Sequence, residues 1–195
     1  MPLPSLGAAL PVRGNWFSRG LGRAVLALLG WDFEGTVPDL SRAVLIVAPH
    51  TSNWDFVVGM ATALALGLDA HWLGKHTLFR PPFGRLWRWL GGIPVDRSAR
   101  HSVVTQTVAA FARHDRMLVA MAPEGTRKRV DRWKTGFYHI AHGAGVPILP
   151  VYLDFARRRV GVGPRLMPTG DLEAEVARLQ AFFRAFRGKK PTRAA

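Results

Sequence analysis

Three short stretches constrain this chain more than anything else in it: AVLIVA at residues 43–48, MLVAM at 117–121 and PILPVYL at 147–153. Each is apolar from end to end. A strand with one face in water alternates polar and apolar side chains, so a strand without that alternation is covered on both faces. The intervening segments have the spacing of the helices that would cover it. Residues 53–67 read as a buried helix, with Ser52 or Asn53 able to cap it. Residues 84–90 and 99–114 read as helices, the second with Val103, Val104, Val108 and Phe111 turned inward. Residues 135–142 and 171–186 read the same way, Leu172, Val176, Leu179 and Phe183 keeping helical spacing in the last. Residues 69–74, 93–96 and 159–162 are shorter strand candidates. Strands alternating with helices predict an α/β fold, a single domain whose mostly parallel central sheet is flanked by helices. The 195 residues suffice for one such domain with a substantial core.

The N-terminal segment has a different character. Residues 1–14 are rich in Pro and Gly. Trp16, Phe17, Leu21, Val25, Leu28 and Leu29 then fall near helical spacing, with Arg13, Arg19 and Arg23 nearby. This pattern predicts an amphipathic helix at a membrane interface, aromatic and aliphatic groups toward the acyl boundary and Arg toward headgroups. The competing reading is an ordinary helix packed on the core. Trp72, Phe79, Trp87 and Trp89, with Arg80, Arg85 and Arg88 among them, are open to the same two readings. The most apolar run, residues 56–68, is short of the ~20 residues that span a bilayer. No signal-peptide layout is present, so a cytoplasmic location is expected. Residues 188–195, GKKPTRAA, read as a frayed basic tail.

Cysteine is absent, which removes disulfides, thiolate nucleophiles and Cys-based metal sites. Lys and Arg number 27 against 13 Asp and Glu, a net charge of +14. Such a balance implies an anionic partner: nucleic acid, anionic lipid or a phosphorylated substrate.

Chemistry gathers where ligand sites of α/β sheets gather, beyond the carboxyl ends of strands. His50 follows the first apolar run, within HTSNWD, and Asp55 closes that stretch. On one continuous helix a five-residue step would turn the two side chains apart. With His50 in the turn and Asp55 in the first helical turn, the carboxylate can reach the imidazole. That pair would be a general base whose tautomer is held by an acid. The alternative is a turn histidine beside a capping or dipole-compensating Asp. PEGTR, residues 123–127, follows the strand at 117–121. Its Gly125 and Thr126 offer a turn with free N–H groups, Arg127 can grip a phosphate, and Glu124 can orient Arg127 or assist the acceptor group. GGIPVDR, residues 91–97, brings Asp96 and Arg97 to another strand end, as a surface ion pair or as a further cation for the same pocket. His139 and His142 are three apart on a helix, but no third ligand is evident and no metal is expected.

These stretches, in this order, resemble the glycerolipid acyltransferase family, whose best-known members are the 1-acyl-glycerol-3-phosphate acyltransferases. The motifs are His50 to Asp55, Gly92 to Arg97, Pro123 to Arg127, and Val146-Pro-Ile-Leu-Pro150. Lys75 resembles the family's basic position between the first two. The chain departs from many relatives at Ala122, where they carry Phe, and at Lys128, where they carry Ser. The resemblance implies the glycerol-3-phosphate acyltransferase-like form of the α/β fold. It divides the chain into a tail and interface helix, 1–30, and an acyltransferase catalytic domain, 31–195.

It further implies transfer of a fatty acyl group from an acyl thioester to the free hydroxyl of a lysophospholipid, with 1-acyl-glycerol-3-phosphate the leading acceptor. His50 would be the general base, with Asp55 and Glu124 as its catalytic companions. Lys75, Arg97, Gly125, Thr126 and Arg127 would hold substrate. Backbone N–H groups near the first motif are the expected oxyanion donors. No cofactor is implied; acyl-CoA or acyl carrier protein would deliver the acyl group as co-substrate. The expected setting is the cytoplasmic side of the cell membrane, peripheral, on an anionic surface. Three alternatives stand beside this one: another lysolipid acceptor such as a lyso-ornithine lipid or a glycolipid, hydrolysis of the thioester by water, and a basic nucleic-acid-binding module. No nucleic-acid motif supports the last.

Overall fold

The computed structural model describes residues 3–95, 100–127, 130 and 132–190. Its centre is β2 (Arg42–Ala48), flanked by β5 (Met117–Met121) and β6 (Ile148–Asp154), both parallel to it. Beyond β5 lie β3 (Ala70–Lys75) and β4 (Gly92–Val95), also parallel. Beyond β6 the direction reverses at β7 (Arg159–Val162), which carries β1 (Asp32–Glu34) on its far side. The sheet therefore runs β1-β7-β6-β2-β5-β3-β4, five parallel strands plus a reversed pair. Residues 32–34 are a strand that periodicity did not predict.

The unbroken apolar runs are explained by what lies on each face. Val44, Ile46 and Ala48 of β2 point into a core with Val119, Phe111 of α4 (Arg100–Arg113) and Phe137 and Ile140 of α5 (Gly136–Ala144). Leu179 and Phe183 of α6 (Leu172–Phe183) close that side. Ala43 and Leu45 point the other way, toward Leu118, Leu149, Leu10 and the end of α2 (Trp54–Leu66). Alternate side chains thus enter opposite cores, and a polar residue at either kind of position would be buried without a partner.

Helix α1 (Trp16–Leu29) starts on a capping box, Asn15 Oδ1 accepting from the Ser18 N–H at 3.0 Å and Ser18 Oγ from the Asn15 N–H at 2.9 Å. It ends on Gly30 in the left-handed conformation. Its inner face, Ser18, Gly22 and Leu26, is buried. A Cβ on Gly22 would stand 2.4 Å from Ala65 N, so the glycine permits backbone-to-backbone contact with α2. Its outer face leaves Trp16 84% and Leu28 86% exposed, with Phe17 and Leu21 beside them. The inner face packs on the core, and the outer face leaves apolar side chains in solvent.

The aromatic stretch divides in a similar way. Trp72 packs on Phe56 at 4.8 Å and on Phe79 at 5.8 Å between ring centres, and Trp87 joins Phe56 at 5.8 Å. Phe83, Leu86 and Trp89, in and around α3 (Gly84–Trp89), remain exposed. Among the described residues no helix is long and apolar enough to cross a membrane.

Candidate active site

Strand β2 ends at Ala48, Pro49 is buried, and His50 stands in the turn before α2. Asp55 lies in the first turn of α2. The chain folds back between them, so Asp55 Oδ2 lies 3.2 Å from His50 Nδ1. The same oxygen accepts the N–H groups of Thr51 at 2.6 Å and Ser52 at 2.7 Å, while Oδ1 accepts the Ser52 hydroxyl at 2.9 Å. The carboxylate is consequently held in one orientation. Its side chain is 1% exposed against 27% for the imidazole above it. With Nδ1–H donated to Asp55, Nε2 carries the lone pair. Asn53 makes no side-chain cap; Ser52 Oγ instead accepts the Trp54 N–H at 3.2 Å.

Glu124 follows β5, the strand beside β2, and is 1% exposed. Its Oε1 accepts the His50 N–H at 2.9 Å, and its Oε2 has no hydrogen-bond partner. It does not orient Arg127: the oxygen that is engaged ties the two strand-end turns together. Burial raises its pKa from 4.5 to about 7, an effect opposed by the His50 N–H bond and the His50 charge and reinforced by the Asp55 charge. Gly125 has φ +63°, and a Cβ there would sit 2.6 Å from the Lys134 side chain. The expected oxyanion donors fare differently. The N–H groups of His50, Thr51, Ser52 and Trp54 are all engaged inside the protein, by Glu124, by Asp55 twice and by Ser52.

Beside this pair a cleft of about 580 Å³ is lined by Thr51, Ser52, Thr126 and Arg127. Lys189 and Lys190, within the stretch that reads as tail, also line it. Nothing local in GKK distinguishes it from a frayed end; its position is set by contacts distant in sequence. The structure thus gathers His50, Asp55, Glu124, Gly125, Thr126 and Arg127. Lys75 ends β3, exposed, with β5 standing between β3 and β2, and does not line the cleft. Asp96 and Arg97 lie outside the described residues. His142 stacks on Tyr138, whose hydroxyl donates to Glu175 at 2.5 Å, and no group of three metal-ligating side chains occurs among the described residues.

A family model described as Acyltransferase matches residues 32–154, a span that holds both strand-end turns. The 1-acyl-sn-glycerol-3-phosphate acyltransferase of Haemophilus influenzae is 31% identical over 159 residues, covering 76% of this chain and 62% of that protein. The Escherichia coli protein of the same name is 32% identical over 124 residues, 60% of this chain and 49% of the relative. The chain thus spans between about half and three-fifths of the length of these relatives. Among solved structures, the 1-acyl-sn-glycerophosphate (LPA) acyltransferase PlsC from Thermotoga maritima superposes with a TM-score of 0.63. That match covers 87% of this chain and 76% of the other at 18% identity, a likeness of fold.

Proposed function

The chain belongs to the acyltransferase family, and from that premise we propose that it moves a fatty acyl group from an acyl thioester to the free hydroxyl of a lysophospholipid. The leading acceptor is 1-acyl-glycerol-3-phosphate, the substrate in the names of its relatives. The observation that carries the reading is the 3.2 Å approach of a buried, fully engaged carboxylate to a partly exposed imidazole at a strand end.

In the proposed mechanism, His50 Nε2 takes the proton of the acceptor hydroxyl as its oxygen attacks the thioester carbonyl carbon. Asp55 keeps Nδ1 protonated and stabilises the imidazolium that forms. The tetrahedral intermediate then collapses with cleavage of the carbon–sulfur bond, and the departing thiolate takes the proton back. An ester and a free thiol result, and His50 is neutral again. General-base assistance of this kind contributes roughly 10²–10⁴-fold. Glu124 acts as a positioning residue, fixing the backbone of His50. Arg127, with Gly125 and Thr126, holds the acceptor phosphate bidentately; the family resemblance gives Arg97 the same task. Acyl-CoA or acyl carrier protein is the donor.

Because both products and substrates are amphiphiles, the enzyme works at a bilayer surface. The outer face of α1 and the exposed Phe83, Leu86 and Trp89 supply apolar contact. The +14 charge favours an anionic, cytoplasmic leaflet. The test supplies one acyl-CoA with a panel of acceptors: lysophosphatidate, other lysophospholipids, a lyso-ornithine lipid and a monoacylglycerol. Products are identified by mass and thiol release is followed alongside. Lysophosphatidate is expected to give phosphatidate with thiol release that requires it. Equal release without any lysolipid would mean hydrolysis instead.

A further inference from the structure

Residues 184–190 come back across the sheet toward the candidate site. Phe186 stacks on Tyr152 of β6 at 4.0 Å, and the Arg187 carbonyl accepts the Phe155 N–H at 2.8 Å. The chain then crosses from the end of β6 to the end of its neighbour β2. Gly188 lies so close to Thr51 that a Cβ would be 2.6 Å from Thr51 Cγ2, and the Lys190 N–H donates to Thr51 Oγ1 at 3.2 Å. Lys189 Nζ sits 4.3 Å from the centre of the Trp54 ring. The segment is thus fastened to Thr51, which follows His50, and to Trp54, which precedes Asp55.

Three cations, Arg127, Lys189 and Lys190, share the cleft, and no carboxylate among the described residues lines it. None of the three forms an ion pair with a described residue. Like charges gathered in one concave space repel and raise the local positive potential, an arrangement that an anion relieves. We propose that Lys189 and Lys190 complete the binding site for the phosphate monoester of the acyl acceptor, on the side opposite the PEGTR turn. This rests on the acyltransferase reading above. The acceptor fits the geometry because the free hydroxyl and the phosphate of 1-acyl-glycerol-3-phosphate sit on neighbouring glycerol carbons. A cation cluster lined by Thr51, next to the base, is therefore at the right reach. In a coenzyme A thioester the reacting carbonyl and the nearest phosphate are separated by the whole pantetheine arm. The lysines lie beyond residues 32–154, the span of the family model, so they are a feature of this chain's C-terminal segment. Lys189 also covers Trp54, a cation–π contact that holds its stem in place before the anion arrives.

The experiment uses the full chain and two readouts. In steady-state kinetics, the Lys189→Ala/Lys190→Ala variant should raise the KM for lysophosphatidate by about tenfold or more, the scale of losing hydrogen bonds to a charged group. Its kcat and its KM for the thioester should stay within about twofold, and Lys189→Arg/Lys190→Arg should recover most of the loss. In the second readout, trace acetylation of lysines is followed by mass spectrometry without any donor present. Short-chain lysophosphatidate should shield Lys189 and Lys190, whereas the matching monoacylglycerol should not. A rise confined to the thioester KM, failure of the arginine pair to rescue, or shielding by coenzyme A in place of lysophosphatidate would each overturn the assignment. If the unaltered protein acylates no phosphate-bearing acceptor, it is the acyltransferase reading that fails, while the acetylation arm still decides whether these lysines hold a phosphate monoester.

Discussion

Asp55 Oδ2 lies 3.2 Å from His50 Nδ1 while also accepting two backbone N–H groups from the turn that connects them. One oxygen thus shapes the turn and sets the imidazole. Its replacement by Asn is informative because the Asn oxygen can still accept the N–H groups of Thr51 and Ser52. That same oxygen still faces Nδ1 and can accept its proton, while the NH2 takes the place of Oδ1 opposite the Ser52 hydroxyl; the tautomer is kept, but the negative charge that stabilises the imidazolium is lost. We expect Asp55→Asn to fold, and to lower kcat by about 10²–10⁴-fold with little change in acceptor KM. His50→Ala should lose at least as much. An Asp55→Asn variant that kept a tenth of the rate would remove the carboxylate from its assigned role, and a His50→Ala variant that did so would remove the imidazole.

Glu124 makes a prediction about stability and pH. Its pKa is about 7 in the fold and 4.5 as the ordinary value, burial being the main cause. Between those values the folded chain holds a proton that the unfolded chain has lost. Stability from this group is therefore full at the acid end of the window and falls as pH rises through it. Glu124→Gln stays neutral throughout and can still accept the His50 N–H. The gain in stability of Glu124→Gln over the unaltered protein should grow from pH 4.5 to about 7 and then level off. Denaturant unfolding of both proteins at several pH values measures it, and a difference independent of pH would contradict the assignment.

What could be read in advance depended on whether the deciding contacts were local. The runs 43–48 and 117–121 were legible because two buried faces leave no polar position. His50 and Asp55 were legible because a strand end followed by a helix start brings residues five apart together. Strand β1 was not: it has three residues, and its partner Arg159 on β7 is far along the chain from Asp32. The position of Lys189 and Lys190 was hidden for the same reason, since Thr51, Trp54 and Tyr152 hold that segment. That the N–H groups of His50, Thr51, Ser52 and Trp54 are taken up by Glu124, Asp55 and Ser52 was equally hidden. Spacing alone does not reveal those bonds.

Gly22 tests how α1 is attached. A Cβ at this position would meet backbone atoms of α2, Ala65 N at 2.4 Å and Ala61 O at 2.6 Å, neither of which can rotate away. Gly22→Ala would ordinarily favour a helix, by about 1 kcal/mol. Here overpacking should outweigh that gain, with a net loss of about 1–3 kcal/mol, and Gly22→Val should cost more. Thermal unfolding reads the result. A stabilised Gly22→Ala protein would mean that the two helices are not in close contact in solution.

The outer face of α1 carries the last prediction. Trp16 and Leu28 are more than four-fifths exposed, and Phe17 beside Trp16 is 63% exposed. Burying such a side chain in an apolar phase contributes about 1.5–3 kcal/mol, so three together outweigh the ~1 kcal/mol of a single cation near an anionic surface. Trp16→Ser/Phe17→Ser/Leu28→Ser should therefore weaken binding to anionic vesicles by at least about a hundredfold. Because none of the three lies in the core, the unfolding midpoint should hardly move. Turnover of a short-chain, water-soluble acceptor should persist, while turnover of a vesicle-embedded one falls with binding. Retained vesicle binding by the triple variant would transfer the anchoring role to other surfaces, with the exposed Phe83, Leu86 and Trp89 the next to substitute.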